Sequence, residues 1–292
     1  DIKTITRSFG NFEVMDAREL DKPAEVKSNR GRQSANPKTE TAKTFASKIF
    51  NTYEFGYRRV TIERPLRLSA QITDAAVASL RFAPKPFNAV MQALYDQYGQ
   101  AWTDDSYGIF SEDEQLEARA LIKAEYPELK EKDIKDVLDS KIWLLQKDLM
   151  QKAQALQDHI GTVQSDDFNA FDDTLKHAYK TIESKHDLKL DNKEKKQFLD
   201  AITWKNPEAE PVISKVLKVA ANPLYGQCNY KDKVVEFVQD GDLRDAENIA
   251  LNPNVSTTDL IEDYFKREVQ PHVADAWINA DKRDDKDGEI GI

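Results

Sequence analysis

Apolar residues along this chain recur mostly at helical spacing, and two short stretches alternate instead. Ile2, Ile5 and Phe9 share one helical face at the start. "TAKTFASKIF" (41–50) reads as a short helix with Phe45, Ile49 and Phe50 on one face. In "FGYRRVTIERPLRL" (55–68), Val60 and Ile62 alternate with Arg59, Thr61 and Glu63, the period of a half-buried strand. Pro65 has no N–H to give a ladder, so this strand should lie at an edge or end there. From Thr73 helices dominate: "TDAAVASLRF", "PFNAVMQALYDQY" and "EARALIKAEY", the last ended by Pro127. The longest stripe runs from Lys132 to His159 through Ile134, Val137, Leu138, Ile142, Leu145, Leu149, Ala153 and Leu156, and predicts one amphipathic helix stopped by Gly161. Further helices are expected near 166–186, 192–203 and 208–220. "DKVVEFV" (232–238) predicts a strand, and "DGDLRDAENIALNPN" reads as turn-rich. A capped helix follows from Ser256, with Asp259 three residues on, and Pro271 closes it. The pattern therefore predicts a mainly α fold, a multi-helix arm with small β elements near 55–68 and 232–238.

Composition sharpens this. The 292 residues carry a net charge of −10, which argues against nucleic-acid affinity over the whole surface. The charge is unevenly placed. Lys22 to Arg67 holds 11 Lys and Arg against 4 Asp and Glu, so the remainder sums to −17. Within it, 22–38 has Val26 as its one large apolar residue and reads as a loop or disordered segment. The single cysteine, Cys228, excludes an internal disulfide and fits a reducing, cytoplasmic setting. No apolar run exceeds four residues, too short for a membrane span or signal-peptide core. The chain opens inside a helical pattern and stops at "KDGEIGI" as an apolar alternation begins, so a piece of a longer protein is expected.

The residue patterns of common catalytic sites are missing. No two glycines are separated by a single residue, as a dinucleotide cradle needs, and no Gly-Lys-Ser/Thr occurs. The histidines, His159, His177, His186 and His272, are too scattered for a zinc pair. "RDDKDG" (283–288) resembles the start of a calcium loop, but Arg283 occupies its first ligand position and a charged turn explains it better. "NPLY" (222–225) resembles the Asn-Pro-Pro-aromatic loop of amino-methyltransferases, with Leu224 in place of the second Pro. That loop follows a strand, whereas "VISKVLKVAA" reads as helical. No catalytic, cofactor-binding or metal-binding residue can be assigned.

The basic run is the remaining candidate. Tyr57, Arg58, Arg59, Arg64 and Arg67, with Arg30 and Arg32 upstream, have two readings. Arginines pair bidentately with carboxylates and could hold two parts of the protein together at a seam. They could equally neutralise DNA phosphates. Val60, Ile62, Leu66 and Leu68 interleave the charges and need burial, which tips the reading toward the seam, with Tyr57 and Val60 facing it.

Three segments, "FGYRRVTIERPLRL", "DGDLRDAENIAL" and "DYFKREVQPHVADAWINADK", resemble in the same order the modification (M) subunit of type I restriction–modification systems, an adenine-specific DNA methyltransferase. With "TAKTFASKIF" they span about 41 to 283; the helical middle is similar only in character. The resemblance implies a parent that transfers methyl from S-adenosylmethionine to the adenine amino group in DNA. Its Rossmann-like catalytic domain would lie upstream of Asp1. It further implies partners: DNA, the specificity (S) subunit and, in the full complex, the restriction (R) subunit. Residues 1–69 would be a basic linker and strand region, 70–225 a helical domain and 226–292 a truncated family segment serving assembly. The rival is an independent, non-enzymatic helical adaptor or nucleic-acid-binding module. For 22–38, limited proteolysis is expected to cut first, unless a partner covers its basic residues; cleavage confined to the helical part would contradict this.

Overall fold

The computed structural model describes residues 2–13 and 49–281. The expected helix over 41–50, the loop at 22–38, Arg30, Arg32 and the calcium-loop resemblance at 283–288 lie outside the described residues, apart from Ile49 and Phe50. In chain order the elements are α1 (Ile2–Asn11), β1 (Tyr57–Glu63), β2 (Leu68–Ala70), α2 (Asp74–Ser79), α3 (Asn88–Tyr98), α4 (Glu112–Glu125), α5 (Glu131–Leu138) and α6 (Ser140–Ile160). There follow α7 (Phe168–His186), α8 (Asn192–Ile202), β3 (Thr203–Lys205), β4 (Ile213–Leu217), β5 (Cys228–Tyr230), β6 (Lys233–Phe237), β7 (Asp245–Ala250), α9 (Thr257–Tyr264) and β8 (Trp277–Ile278). The fold is mainly α with small antiparallel sheets, as the apolar pattern predicts.

The chain divides into two compact units. One comprises Asp1–Ile62, Asp245–Ala274 and Asn279–Ile292. In it β1 pairs antiparallel with β7, from Tyr57 opposite Ala250 to Ile62 opposite Asp245. The region 240–254, expected to be turn-rich, therefore contains a strand. Its Asp and Asn residues weaken β propensity, and pairing with β1 overrides it. α9 begins at the expected cap, where the Ser256 hydroxyl accepts from the Asp259 N–H at 3.1 Å. It packs on β7, and the Tyr264 hydroxyl donates to Glu247 at 2.8 Å. Burial and that carboxylate push the Tyr264 hydroxyl up to about 12.

The other unit, Glu63–Arg244 with Asp275–Ile278, holds two hydrophobic clusters. Ile72, just ahead of α2, belongs to one with Val77, Leu149, Leu156, Leu175 and Phe198 of α2, α6, α7 and α8. Val90, Leu94, Ile122, Ile134, Val137 and Trp143 belong to the second, drawn from α3, α4, α5 and the start of α6. α6 thus feeds both clusters.

The stripe from Lys132 to His159 is not one helix. Asp139 is extended (ψ 129°), and its carboxylate accepts the Lys141 N–H at 2.9 Å, so the backbone finds a side-chain partner in place of the helical one. The buried Trp143 indole donates to the Val137 carbonyl at 2.8 Å, satisfying an acceptor that the end of α5 leaves open. The break changes the phase of the stripe. Leu145, expected on the apolar face, is 64% exposed, and Trp143 is buried in its stead. Gly108 approaches this tryptophan so closely that a Cβ would lie 2.4 Å from Trp143 Cβ, and its φ of 74° is left-handed, so glycine is required there twice over.

Residues 208–220, expected as a helix, contain β4 instead. Val212 and Val216 are four apart and fit either period; the antiparallel pairing of β4 with β6 decides. Trp143→Ala is expected to cost about 3–5 kcal/mol in urea unfolding. Leu145→Ala should stay within about 0.5 kcal/mol. Equal losses would contradict the break at Asp139.

Candidate functional site

The basic run is divided by the strand that carries it. Along β1, Tyr57, Arg59 and Thr61 point one way, and Arg58, Val60 and Ile62 the other. Val60 and Ile62 are buried with Ile249 of β7, and Arg58 beside them is half-buried. On the opposite face Tyr57 is 59% exposed, and Arg59 and its cross-strand neighbour Asn248 are exposed. Asp245 and Glu247 are opposite Ile62 and Val60, so this outer face of the β1–β7 ribbon has no carboxylate of its own. Tyr57 and Val60, expected to face a common seam, point to opposite faces. Asn248 escaped the sequence reading because its segment read as turn.

The alternation expected to put Glu63 with Arg59 and Thr61 on the half-exposed side fails at the strand end. Glu63 is fully buried, and Arg244 Nε reaches both its oxygens at 2.8 and 3.0 Å. The β strand stops there, ahead of Pro65, which keeps one isolated bridge to Gln239.

Residues 64–67 run between two other segments. The Arg64 carbonyl accepts from the Asp240 N–H at 2.9 Å, the Leu66 N–H donates to Val238 at 2.7 Å, and the Arg67 carbonyl accepts from the Asn206 N–H at 3.1 Å. These bonds fix one wall of a cleft of about 480 Å³. On this wall Arg64 Nε donates to Asp275 Oδ1 at 3.2 Å, and Arg67 Nη2 to Asp275 Oδ2 at 3.4 Å. Arg67 Nη1 also donates to the Ala209 carbonyl at 2.7 Å. In the same cleft Lys205 pairs with both Asp240 and Asp242. Burial works against the charge on Asp240, but the Lys205 ammonium and the Asp242 N–H overcome it and hold this carboxyl below its ordinary value. The same two carboxylates hold Lys205 above its own.

The chain matches no protein-family model, no curated protein and no solved structure. What the site can do must therefore be read from its own atoms. Arg64 and Arg67 are committed to a carboxylate more than 200 residues away in sequence. Arg59 has no side-chain partner among the described residues.

The other candidates fall elsewhere. "NPLY" does follow a strand, β4, contrary to the helical reading. Its backbone, however, closes a turn: the Asn222 carbonyl accepts the N–H groups of Tyr225 and Gln227, both at 3.0 Å. Among the described residues no His, Cys, Asp or Glu group is arranged to hold a metal.

The depressed Asp240 pKa gives stability that is present above the unfolded value of about 3.9 and lost as pH falls through the folded one. Asp240→Asn should therefore lower the urea midpoint at pH 7, and the gap should close below about pH 4. A gap independent of pH would contradict the pairing. Arg244→Ala should cost about 2 kcal/mol, less than the loss of a fully buried pair because Arg244 is partly exposed.

Proposed function

We propose that this chain is the helical, non-catalytic part of a type I modification subunit. Its parent transfers methyl from S-adenosylmethionine to adenine in DNA. The chain serves assembly with the specificity subunit, within a complex that also takes up the restriction subunit, and it helps position the DNA.

One observation supports the reading above others. The first of the three segments that carry the resemblance lies far in sequence from the other two, and part of each of the three falls in one unit. β1 of the first segment is zipped to β7 of the second. From the third, Tyr264 bonds Glu247 on β7, and the Asn279 N–H donates to the Thr61 carbonyl of β1 at 3.0 Å. A shared set of residues with a shared folding task is what a family module requires.

The outer face of the β1–β7 ribbon suits the DNA-positioning part. It offers a guanidinium, a phenol and an amide, with Asp245 and Glu247 on the other face of the ribbon and Glu63 buried at the strand end. Arg64 and Arg67, held by Asp275, lie off this face and take no part in the DNA contact.

Two experiments test this. The chain alone should show no stoichiometric calorimetric binding of S-adenosylmethionine; the cofactor loop and an Asn-Pro-Pro-aromatic motif should be encoded upstream of Asp1, and their absence there would defeat the family reading. In the assembled complex, Arg59→Ala should weaken binding to all DNA sequences about equally and reduce the salt slope by roughly one. An unchanged slope would remove Arg59 from the DNA contact.

A further inference from the structure

The cleft at Arg64 and Lys205 holds two ion-pair clusters of opposite excess charge. At one pole two guanidiniums share one carboxylate, leaving an excess positive charge. Next to it, at the second pole, one ammonium faces Asp240 and Asp242, leaving an excess negative charge. The two poles keep a fixed separation, because the Arg64 carbonyl is bonded to the Asp240 N–H at 2.9 Å. Atoms on both poles remain available. Nε of Arg64 is engaged by Asp275, and its two Nη groups have no partner among the described residues. The Asp242 side chain is 82% exposed with one oxygen on Lys205. Pro65, Pro207 and Leu243 supply an apolar strip along the same cleft. Its volume of about 480 Å³ is of the size that takes small molecules.

A polyanion does not suit this lining, which sets Asp240, Asp242, Asp275 and Glu208 against Arg64, Arg67 and Lys205. A simple anion or cation would meet one pole and be repelled by the other. We propose that the cleft binds a small zwitterion of the amino-acid class. Its carboxylate lies on the Arg64 guanidinium, its ammonium on Asp242, and its apolar side chain on Pro65, Pro207 and Leu243. This site is independent of the family reading and of the β1–β7 ribbon.

The test is an NMR titration of the full chain with three probes: L-leucine, leucinamide and N-acetyl-leucine. Leucine should give saturable amide shifts around Lys205 and Leu243. Leucinamide lacks the carboxylate and N-acetyl-leucine the ammonium, so each should bind at least about tenfold more weakly. Arg64→Ala and Asp242→Ala should each weaken leucine by about tenfold. Asp242→Ala alters an exposed side chain and should leave the thermal melt unchanged, which separates lost binding from lost folding. No saturable shift with leucine, equal binding of all three probes, or preference for inorganic phosphate over leucine would overturn the proposal.

Discussion

A single carboxylate, Asp275, holds two arginines of the basic run, one on each oxygen. That shared pairing fixes what the rest of the run can do. It joins residues 64–67 to a segment more than 200 positions later and turns a dense cationic stretch into an internal brace. Each guanidinium in such a brace has a nitrogen tied to Asp275 and its position set by it, so the run cannot act as one continuous basic patch. The outer face of β1, where Arg59 stands beside Tyr57, is left facing solvent apart from that brace. The buried Glu63, answered by Arg244, marks the point along the strand where the change occurs.

α6 plays the corresponding part for the helices. It contributes Trp143 to one apolar cluster and Leu149, Ala153 and Leu156 to the other. The indole of Trp143 packs and at the same time satisfies the open end of α5. A continuous helix through Asp139 would have kept the stripe in phase and left this carbonyl and the aromatic cluster without their shared partner.

The helical class was legible in the sequence because it rests on local signals. The Ser256 cap, the Gly161 stop and the Pro127 limit all act within a turn of the residue that shows them. What escaped depends on distant partners or on competition between two local rules. β4 was lost because valines four apart satisfy both periods, and β7 because its polar residues look like turn until β1 is beside them. In the stripe, the Asp139 cap outweighed helical periodicity. The basic run itself was plain to see, yet Asp275 and Arg244 carry no sequence mark of whom they serve. Glu63 followed the polar phase of an exposed strand and is buried all the same, since both faces are covered where the strand ends.

The central claim is that the basic run is split between an internal brace and a solvent-facing remainder. A double-mutant cycle in urea unfolding tests it most directly, using Arg67→Ala, Asp275→Ala and the combination. The two side chains are only partly exposed and act in a shared pair, so a coupling energy of about 1 kcal/mol is expected. Additivity to within about 0.3 kcal/mol would show that the pair contributes nothing to the fold and would contradict the brace.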